Sequence, residues 1–198
     1  MPNVRKRAGD AGYRARLAKD LWHGRRMDRT GWSLSHSASL AGSLVQFPIQ
    51  IVPIMHSYLA RTRHKTRFLD LGCTEGNALL DLHAEFGDSI ELHGLSLRHF
   101  PGWPGITKKI KGAIQFHVGH AEALDRKFPK NYFDFIRSNL GIAHATDLGI
   151  ALEKARKVLR KGGLLMISLG MPAPKSFPGF EIVRRADAFT TNVILRKK

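Results

Sequence analysis

The part of the chain best suited to chemistry is a turn between a short apolar strand and a helix, in residues 67–76. The strand ends at Gly72, and a second glycine, Gly76, opens the helix. Glycines at such a turn let the backbone approach a ligand closely because they carry no Cβ atom. The first amides of the following helix have no partner within that helix and are able to bind ligand atoms. The turn therefore predicts a ligand-binding loop.

The elements that must position this turn alternate between strands and helices. Apolar residues at helical spacing predict one helix over 76–86 and another over 147–159, which Gly162 and Gly163 should terminate. A connection broken by Pro and Gly spans 98–112. Apolar runs predict five strands, at residues 67–72, 89–97, 114–118, 132–137 and 164–169. This alternation predicts right-handed crossovers and a parallel sheet.

The C-terminal region has a different pattern. Two extended runs, 180–186 and 189–195, are joined by a short connection and predict an antiparallel hairpin. The segment 170–179 is too short for a full helix, so a loop or a single turn is expected there. Together these elements predict an α/β fold with a doubly wound, mostly parallel seven-stranded sheet and a C-terminal hairpin. Its ligand should bind at the carboxyl ends of the strands, where the strand order reverses.

The run from Phe68 to Gly76 resembles the first motif of class I S-adenosylmethionine-dependent methyltransferases, a strand ending in Asp-x-Gly-x-Gly-x-Gly. A second run, over residues 133–163, is similar to the fourth strand, next helix and fifth strand of that family, at the matching spacing. The resemblance covers residues 66–196. It implies the class I methyltransferase fold and S-adenosylmethionine as the cofactor.

The resemblance also implies a set of cofactor-binding residues at the ends of the first four strands. They are Asp70, Gly72, Cys73, Thr74, Gly76, Ser96, Leu97, His120, Ala121, Ser138 and Asn139.

Three of these positions depart from the family's pattern. Thr74 stands where the middle glycine is usual, which narrows the space for the methionine moiety. Ser96 replaces an acidic residue that accepts hydrogen bonds from the ribose hydroxyls, and it is a weaker, uncharged acceptor. His120 replaces an Asp that holds the adenine amino group. The departures leave three alternatives: altered cofactor geometry, weaker affinity, or a scaffold that has lost catalysis.

Two residues are candidates for catalysis, Asn139 and His144. Methyl transfer from a sulfonium needs in-line positioning and, for weakly acidic nucleophiles, a general base, the role considered for His144. The alternative is that His144 and Asp147 organise the start of the following helix, with Asp147 as its N-cap. One cysteine, Cys73, and scattered histidines predict no metal site.

Charge is concentrated at the front of the chain. The net charge is +16, and residues 1–67 carry 13 basic and 3 acidic residues. The sequence thus divides into a basic N-terminal arm at 1–30, a helical connector at 31–65 that is uncharged as far as residue 60, and a methyltransferase-like domain at 66–198. Such an excess of positive charge predicts a nucleic-acid partner, with RNA favoured, bound through residues 1–67.

The sequence predicts a chain without a membrane span. The most apolar stretch, Leu40–Leu59, is interrupted by Pro48 and Pro53 and contains several polar residues, whereas a span needs about 20 predominantly apolar residues. No secretory signal is visible, so a cytoplasmic location is predicted, with a mitochondrial one as the alternative. The sequence does not predict an oligomeric state.

The leading functional hypothesis from the sequence is an S-adenosylmethionine-dependent methyltransferase that acts on RNA or is recruited to it. The first alternative is a catalytically degenerate methyltransferase-like protein that binds RNA or a ribonucleoprotein. The second is a small-molecule methyltransferase, which the generic motifs resemble equally well.

Overall fold

The computed structural model of the protein describes residues 51–169, 173–187 and 190–198. The predicted basic arm at 1–30 and the first part of the predicted connector, 31–50, lie outside the described residues.

Seven strands form a single sheet in the described part of the chain. They are β1 (Thr66–Leu71), β2 (Ile90–Ser96), β3 (Ile114–Val118), β4 (Phe133–Asn139), β5 (Leu159–Leu169), β6 (Phe180–Asp187) and β7 (Thr191–Lys197). Their order is β3-β2-β1-β4-β5-β7-β6. The first five strands run parallel, while β7 is antiparallel to both β5 and β6. The predicted doubly wound sheet with a C-terminal hairpin is therefore confirmed, and the strand order reverses between β1 and β4.

Helices cover both faces of this sheet. They are α1 (Ile51–Leu59), α2 (Asn77–Phe86), α3 (Trp103–Lys109), α4 (Leu124–Lys127) and α5 (Leu148–Val158). Apolar residues of α1, α2 and α3 join one core cluster, and those of α4 and α5 join a second cluster. The sheet separates these two clusters, as expected for parallel strands buried on both faces.

The ends of α2 and α5 follow from their local sequence. Asp147 accepts a hydrogen bond from the Ile150 amide at 3.0 Å, so it caps α5 as predicted. Gly76 precedes α2 with a left-handed φ of 88°, and Gly87 follows it with a φ of 54°. Positive φ angles cost a glycine little, which explains why α2 begins and ends at these residues.

Two local predictions were wrong. The Pro- and Gly-broken connection at 98–112 contains the helix α3, because Pro104 falls in the first turn, where its missing amide costs nothing. Gly162 and Gly163 do not end a helix: α5 stops at Val158, and both glycines lie within β5. The pairing of β4 with β5 shifts register at this point, and Gly162 takes a φ of 75° to permit it.

A buried carboxylate joins the elements at the end of the sheet where β4 begins. Asp134, fully buried, accepts hydrogen bonds from the Tyr58 hydroxyl at 2.8 Å and the Arg67 amide at 2.8 Å. His64 and Arg160 also lie against it, at 2.8 and 3.2 Å. Four donors offset the cost of burying this charge and fix α1 and β1 to the base of β4.

The hairpin edge of the sheet is thinly covered. Residues 173–179, the described part of the connection between β5 and β6, contain no helix, in line with the expected loop. The middle of β6 is exposed, including Ile182 and Val183 at 39% and 44%.

Candidate cofactor-binding site

The predicted ligand-binding turn takes left-handed backbone at alternate positions. Gly72, Thr74 and Gly76 have φ angles of 85°, 45° and 88°. Glycine tolerates this region, but a β-branched residue such as threonine is strained there. The turn therefore keeps at Thr74 a conformation that would suit the middle glycine expected from the family's pattern.

The turn amides bind within the domain. Gly72 and Cys73 donate to the Leu95 carbonyl at 2.7 and 3.2 Å, and Gly76 donates to the Cys73 carbonyl at 2.8 Å. These bonds order the turn against the end of β2. Because these amides already have acceptors, the turn can serve a ligand mainly by letting it approach the backbone closely.

Ser96, predicted to contact the ribose, supports the turn. Its Oγ accepts a hydrogen bond from the Thr74 amide at 3.0 Å and lies 3.6 Å from the Cys73 sulfur. Ser96 and Cys73 are both buried. Burial and the nearby Asp70 charge raise the pKa of the Cys73 thiol, so it stays neutral.

The loop after β4 packs directly on the turn after β1. Ser138 donates to the Leu71 carbonyl at 2.8 Å and accepts from the Ile142 amide at 2.7 Å. A Cβ atom added to Gly72 would lie 2.9 Å from the Gly141 Cα, and one added to Gly141 would collide with the Leu71 carbonyl. The approach of these two loops thus requires glycine at both positions.

Asp70 is paired with a buried arginine on the neighbouring strand. Arg137 Nη1 lies 3.1 and 3.2 Å from the two carboxylate oxygens of Asp70. Burial raises the pKa of Asp70, and the Arg137 charge opposes that rise. The pair lies just before the ends of β1 and β4, where the strand order reverses.

His120, predicted to contact the adenine, is buried and turned toward Glu122. Its Nδ1 lies 2.7 Å from Glu122 Oε2. The other oxygen of Glu122 accepts a hydrogen bond from the Asp147 amide. His120 therefore links the end of β3 to the start of α5.

Two aromatic rings pack beside the turn. Trp103 stacks on Phe116 with ring centroids 4.6 Å apart, and its indole donates to the Thr74 carbonyl at 2.7 Å. A Cβ atom added to Gly76 would lie 2.8 Å from the Phe116 ring. The same two rings line a groove of about 750 Å³ between α3 and β3, so they stand between the groove and the turn.

The remaining predicted residues lie around the same edge of the sheet. Asn139 ends β4 and is half-buried, and Leu97 and Ala121 are half-buried just beyond β2 and β3. His144 is exposed on a short 3-10 turn, Ile142–His144. The structure joins the β1 turn to Ser96 and Ser138 by hydrogen bonds.

Four residues of the site were not identified from the sequence: Trp103, Phe116, Arg137 and Gly141. Arg137 and Asp70 are 67 positions apart, and only the strand order brings them together. Gly141 was the one detectable from sequence, since a glycine four residues after the end of the strand predicted at 132–137 can mark a close backbone approach.

A metal centre is not seen among the residues described. No group of three or more His, Cys, Asp or Glu side chains there could hold a metal ion.

Comparison with known proteins identifies the family. Residues 69–167 match a family model described as a methyltransferase domain. The chain belongs to the class I methyltransferase family. Over 101 residues it is 26% identical to a demethylmenaquinone methyltransferase of Staphylococcus haemolyticus, an alignment covering 51% of this chain and 42% of the relative. The chain thus spans less than half the length of the curated relatives it matches.

Solved structures with the methyltransferase fold resemble this chain over most of its length. A 1,6-didemethyltoxoflavin-N1-methyltransferase of Burkholderia thailandensis, with S-adenosylhomocysteine bound, has a TM-score of 0.66 and 16% identity, covering 100% of this chain and 92% of its own. An S-adenosylmethionine-dependent methyltransferase of Aquifex aeolicus has a TM-score of 0.59 and 14% identity, covering 78% and 92%. S-adenosylmethionine, the predicted cofactor, is the cofactor of these methyltransferases.

In the described part of this methyltransferase-family chain, no helix is long and apolar enough to cross a membrane.

Proposed function

We propose that the protein transfers a methyl group from S-adenosylmethionine to a small polar acceptor molecule. The observation that carries the proposal is the contact between the β1 turn and the β4 loop, through Gly72 and Gly141, at the switch point of a methyltransferase sheet. Ligands of doubly wound folds bind at that point.

The residues of this edge fit the cofactor. A Cβ atom at Gly72 or Gly76 would collide with the Gly141 backbone or the Phe116 ring, so glycine at both positions keeps the main chain of the turn compact beside the site. Leu97 and Ala121 offer half-buried apolar surface for the adenine, and Ser96 holds the turn beside them through the Thr74 amide. S-adenosylmethionine would supply the methyl group as an electrophile, and the protein's task is to align the acceptor with it.

A row of polar side chains at the same edge favours a small polar acceptor. Asn139 on β4 pairs in register with Ser168 on β5, which pairs with Asn192 on β7. Ser168 Oγ and Asn192 Oδ1 are buried, and neither has a hydrogen-bond partner among the described residues. Buried polar groups are normally satisfied, so this row is suited to bonding a polar acceptor.

The relatives support a small-molecule acceptor. The Burkholderia thailandensis enzyme was solved with the small molecule 1,6-didemethyltoxoflavin bound, and the curated relatives are demethylmenaquinone methyltransferases. Asn139 and His144 are the side chains proposed to position the acceptor or take its proton, since Asn139 ends β4 and His144 lies just beyond it.

RNA is the second candidate acceptor, and the charge of the chain favours it. Residues 1–67 carry 13 basic and 3 acidic residues, an excess suited to a phosphate backbone. In this second proposal the basic arm at 1–30 recruits RNA to the same cofactor site.

The two candidates are separated by following the methyl label. The full chain is incubated with methyl-labelled S-adenosylmethionine and either the small-metabolite fraction or the RNA of the source organism. Label in the small-metabolite fraction, unchanged by deletion of residues 1–30, is the result expected. Label in RNA alone, lost on that deletion, would select the second candidate.

Two glycine variants test whether methyl transfer depends on the proposed site. Gly72→Val places a side chain against Gly141 and should abolish transfer, whereas Gly105→Ala meets no atom within 4 Å and should not. Absence of label from both fractions with the unmodified chain would contradict the proposed activity.

A further inference from the structure

Arg137 carries a positive charge into the interior of the sheet at the proposed site. It lies on β4 directly beside Asp70 of β1, and the two residues are 4% and 3% exposed. Each lies a few residues before a loop. The turn that begins at Gly72 follows Asp70, and the loop that contains Gly141 follows Arg137.

The ion pair uses only one side of the guanidinium. Nη1 donates to both oxygens of Asp70, at 3.1 and 3.2 Å. Nη2 is buried, and within the described residues it has no hydrogen-bond partner. An arginine fork normally engages a carboxylate through two nitrogens, so half of this fork lacks an acceptor.

An unpaired charged donor at this depth is costly. Leaving a buried donor unsatisfied forfeits its hydration without replacement, and the loss is larger for a charged group. Such groups are rare in folded proteins, and a functional role is one of the explanations for them. Nη2 therefore calls for an acceptor that the described residues do not supply.

The charges around Nη2 define which ligand group suits it. The Asp70 carboxylate and the Arg137 charge compensate each other, and the nearby Cys73 thiol is neutral because burial raises its pKa. At neutral pH, S-adenosylmethionine carries a sulfonium, an ammonium and one anionic group, the carboxylate of its methionine end. Only that carboxylate offers Nη2 an acceptor that is itself negatively charged.

We propose that Arg137 anchors the carboxylate of the cofactor's methionine end through Nη2, while Asp70 holds the guanidinium in place through Nη1. This inference rests on the proposed function, since it assigns a role within the same cofactor site. It makes Arg137 a specificity-determining residue for the amino-acid end of the cofactor and Asp70 a positioning residue.

The test compares two probes that differ only in the carboxylate: S-adenosylhomocysteine and its decarboxylated analogue. Their dissociation constants are measured by calorimetry on the full chain. A charge-assisted hydrogen bond predicts that the unmodified chain binds S-adenosylhomocysteine about 10- to 100-fold more tightly.

Two variants keep the test independent of folding. Asp70→Asn retains the Arg137 charge and should retain the preference for the carboxylate. Combined replacement, Asp70→Asn with Arg137→Gln, removes both charges together, leaves no unpaired buried ion, and should bring the two probes to similar affinity. Arg137→Lys should give an intermediate preference, because an ammonium lacks the second arm of the fork.

The outcomes separate this inference from the function on which it rests. Equal binding of the two probes by the unmodified chain overturns the role of Arg137 and leaves cofactor binding intact. A double variant that keeps the full preference for the carboxylate also overturns it. Failure of the unmodified chain to bind either probe contradicts the proposed function itself.

Discussion

Gly72 and Gly141 approach so closely that a Cβ atom on Gly72 would lie 2.9 Å from the Gly141 Cα. They belong to the two loops that follow β1 and β4, the strands between which the sheet changes direction. Contact between these loops fixes the backbone that borders the proposed cofactor site.

Gly141→Ala should destabilise the chain and weaken S-adenosylhomocysteine binding together. Its Cβ would collide with the Leu71 carbonyl, so the loops must separate. Overpacking of this kind costs about 1–3 kcal/mol. Urea unfolding and calorimetric titration measure the two effects. Gly105→Ala is the control, and it should be neutral or slightly stabilising because Gly105 lies in α3 with open space around it.

Thr74→Gly should stabilise the chain. Thr74 holds a φ of 45°, and relieving this left-handed conformation should add about 1 kcal/mol to the free energy of unfolding. Part of this gain is offset because glycine gives the unfolded chain more conformational freedom. The change in melting temperature measures this effect. Thr74→Ala keeps the positive φ and should gain little. A glycine variant less stable than the original chain would show that the threonine side chain makes a contact that outweighs the strain.

Asp134→Ala should cost about 3–5 kcal/mol of unfolding free energy, because it leaves several donors without their buried carboxylate. Tyr58→Phe removes one of those hydrogen bonds and should cost about 1 kcal/mol. Asp134 is the second residue of β4 and lies at the end of the strand away from the proposed site. Tyr58→Phe should therefore leave S-adenosylhomocysteine affinity unchanged, and a large loss of affinity would contradict this separation.

Stability should fall as the pH is lowered from 6.5 toward 4. His93 and His117 lie in contact, with His93 Nδ1 3.1 Å from His117 Nε2. Burial lowers the pKa of both, that of His117 to about 4. The unfolded chain then binds protons that the folded chain does not, so stability is present above the ordinary histidine pKa and is lost as the pH falls through that window.

Urea unfolding at several pH values tests this dependence. For His117, which is partly exposed, a loss of about 1 kcal/mol is expected between pH 6.5 and 4 after allowing for solvent screening. His117→Gln should flatten the curve in that range. The same slope in the variant would assign the effect to other groups.

Ser168→Ala should raise the melting temperature slightly while reducing methyl transfer. Its hydroxyl is buried without a partner in the described part of the chain, so removing it relieves a desolvation penalty of about 1 kcal/mol. A higher melting temperature together with less methyl transfer would show that the Ser168 hydroxyl serves binding at the expense of stability. A variant that loses stability would show that the hydroxyl has a structural role.

Periodicity and turn signals were sufficient to predict the alternation of strands and helices, including β3 at residues 114–118. They failed over 98–112, where two prolines and several glycines hid α3, and at Gly162 and Gly163, which sit in a strand. Local composition sets turn preference, while pairing with a neighbouring strand decides whether a glycine joins a sheet.

The site was predictable where it follows one local motif and not where distant strands meet. The turn at Gly72 to Gly76 was found from its own residues. The partners of that turn were not: Ser96 supports Thr74 from β2, and Arg137 faces Asp70 from β4. Such contacts depend on strand order and register, which one sequence does not encode in its local pattern.

Calorimetric titration of the full chain with S-adenosylhomocysteine tests the central claim most directly. Saturable binding of one ligand per chain, with a rise in melting temperature, is the predicted result. No heat and no thermal shift at millimolar ligand would contradict it and leave only the methyltransferase scaffold.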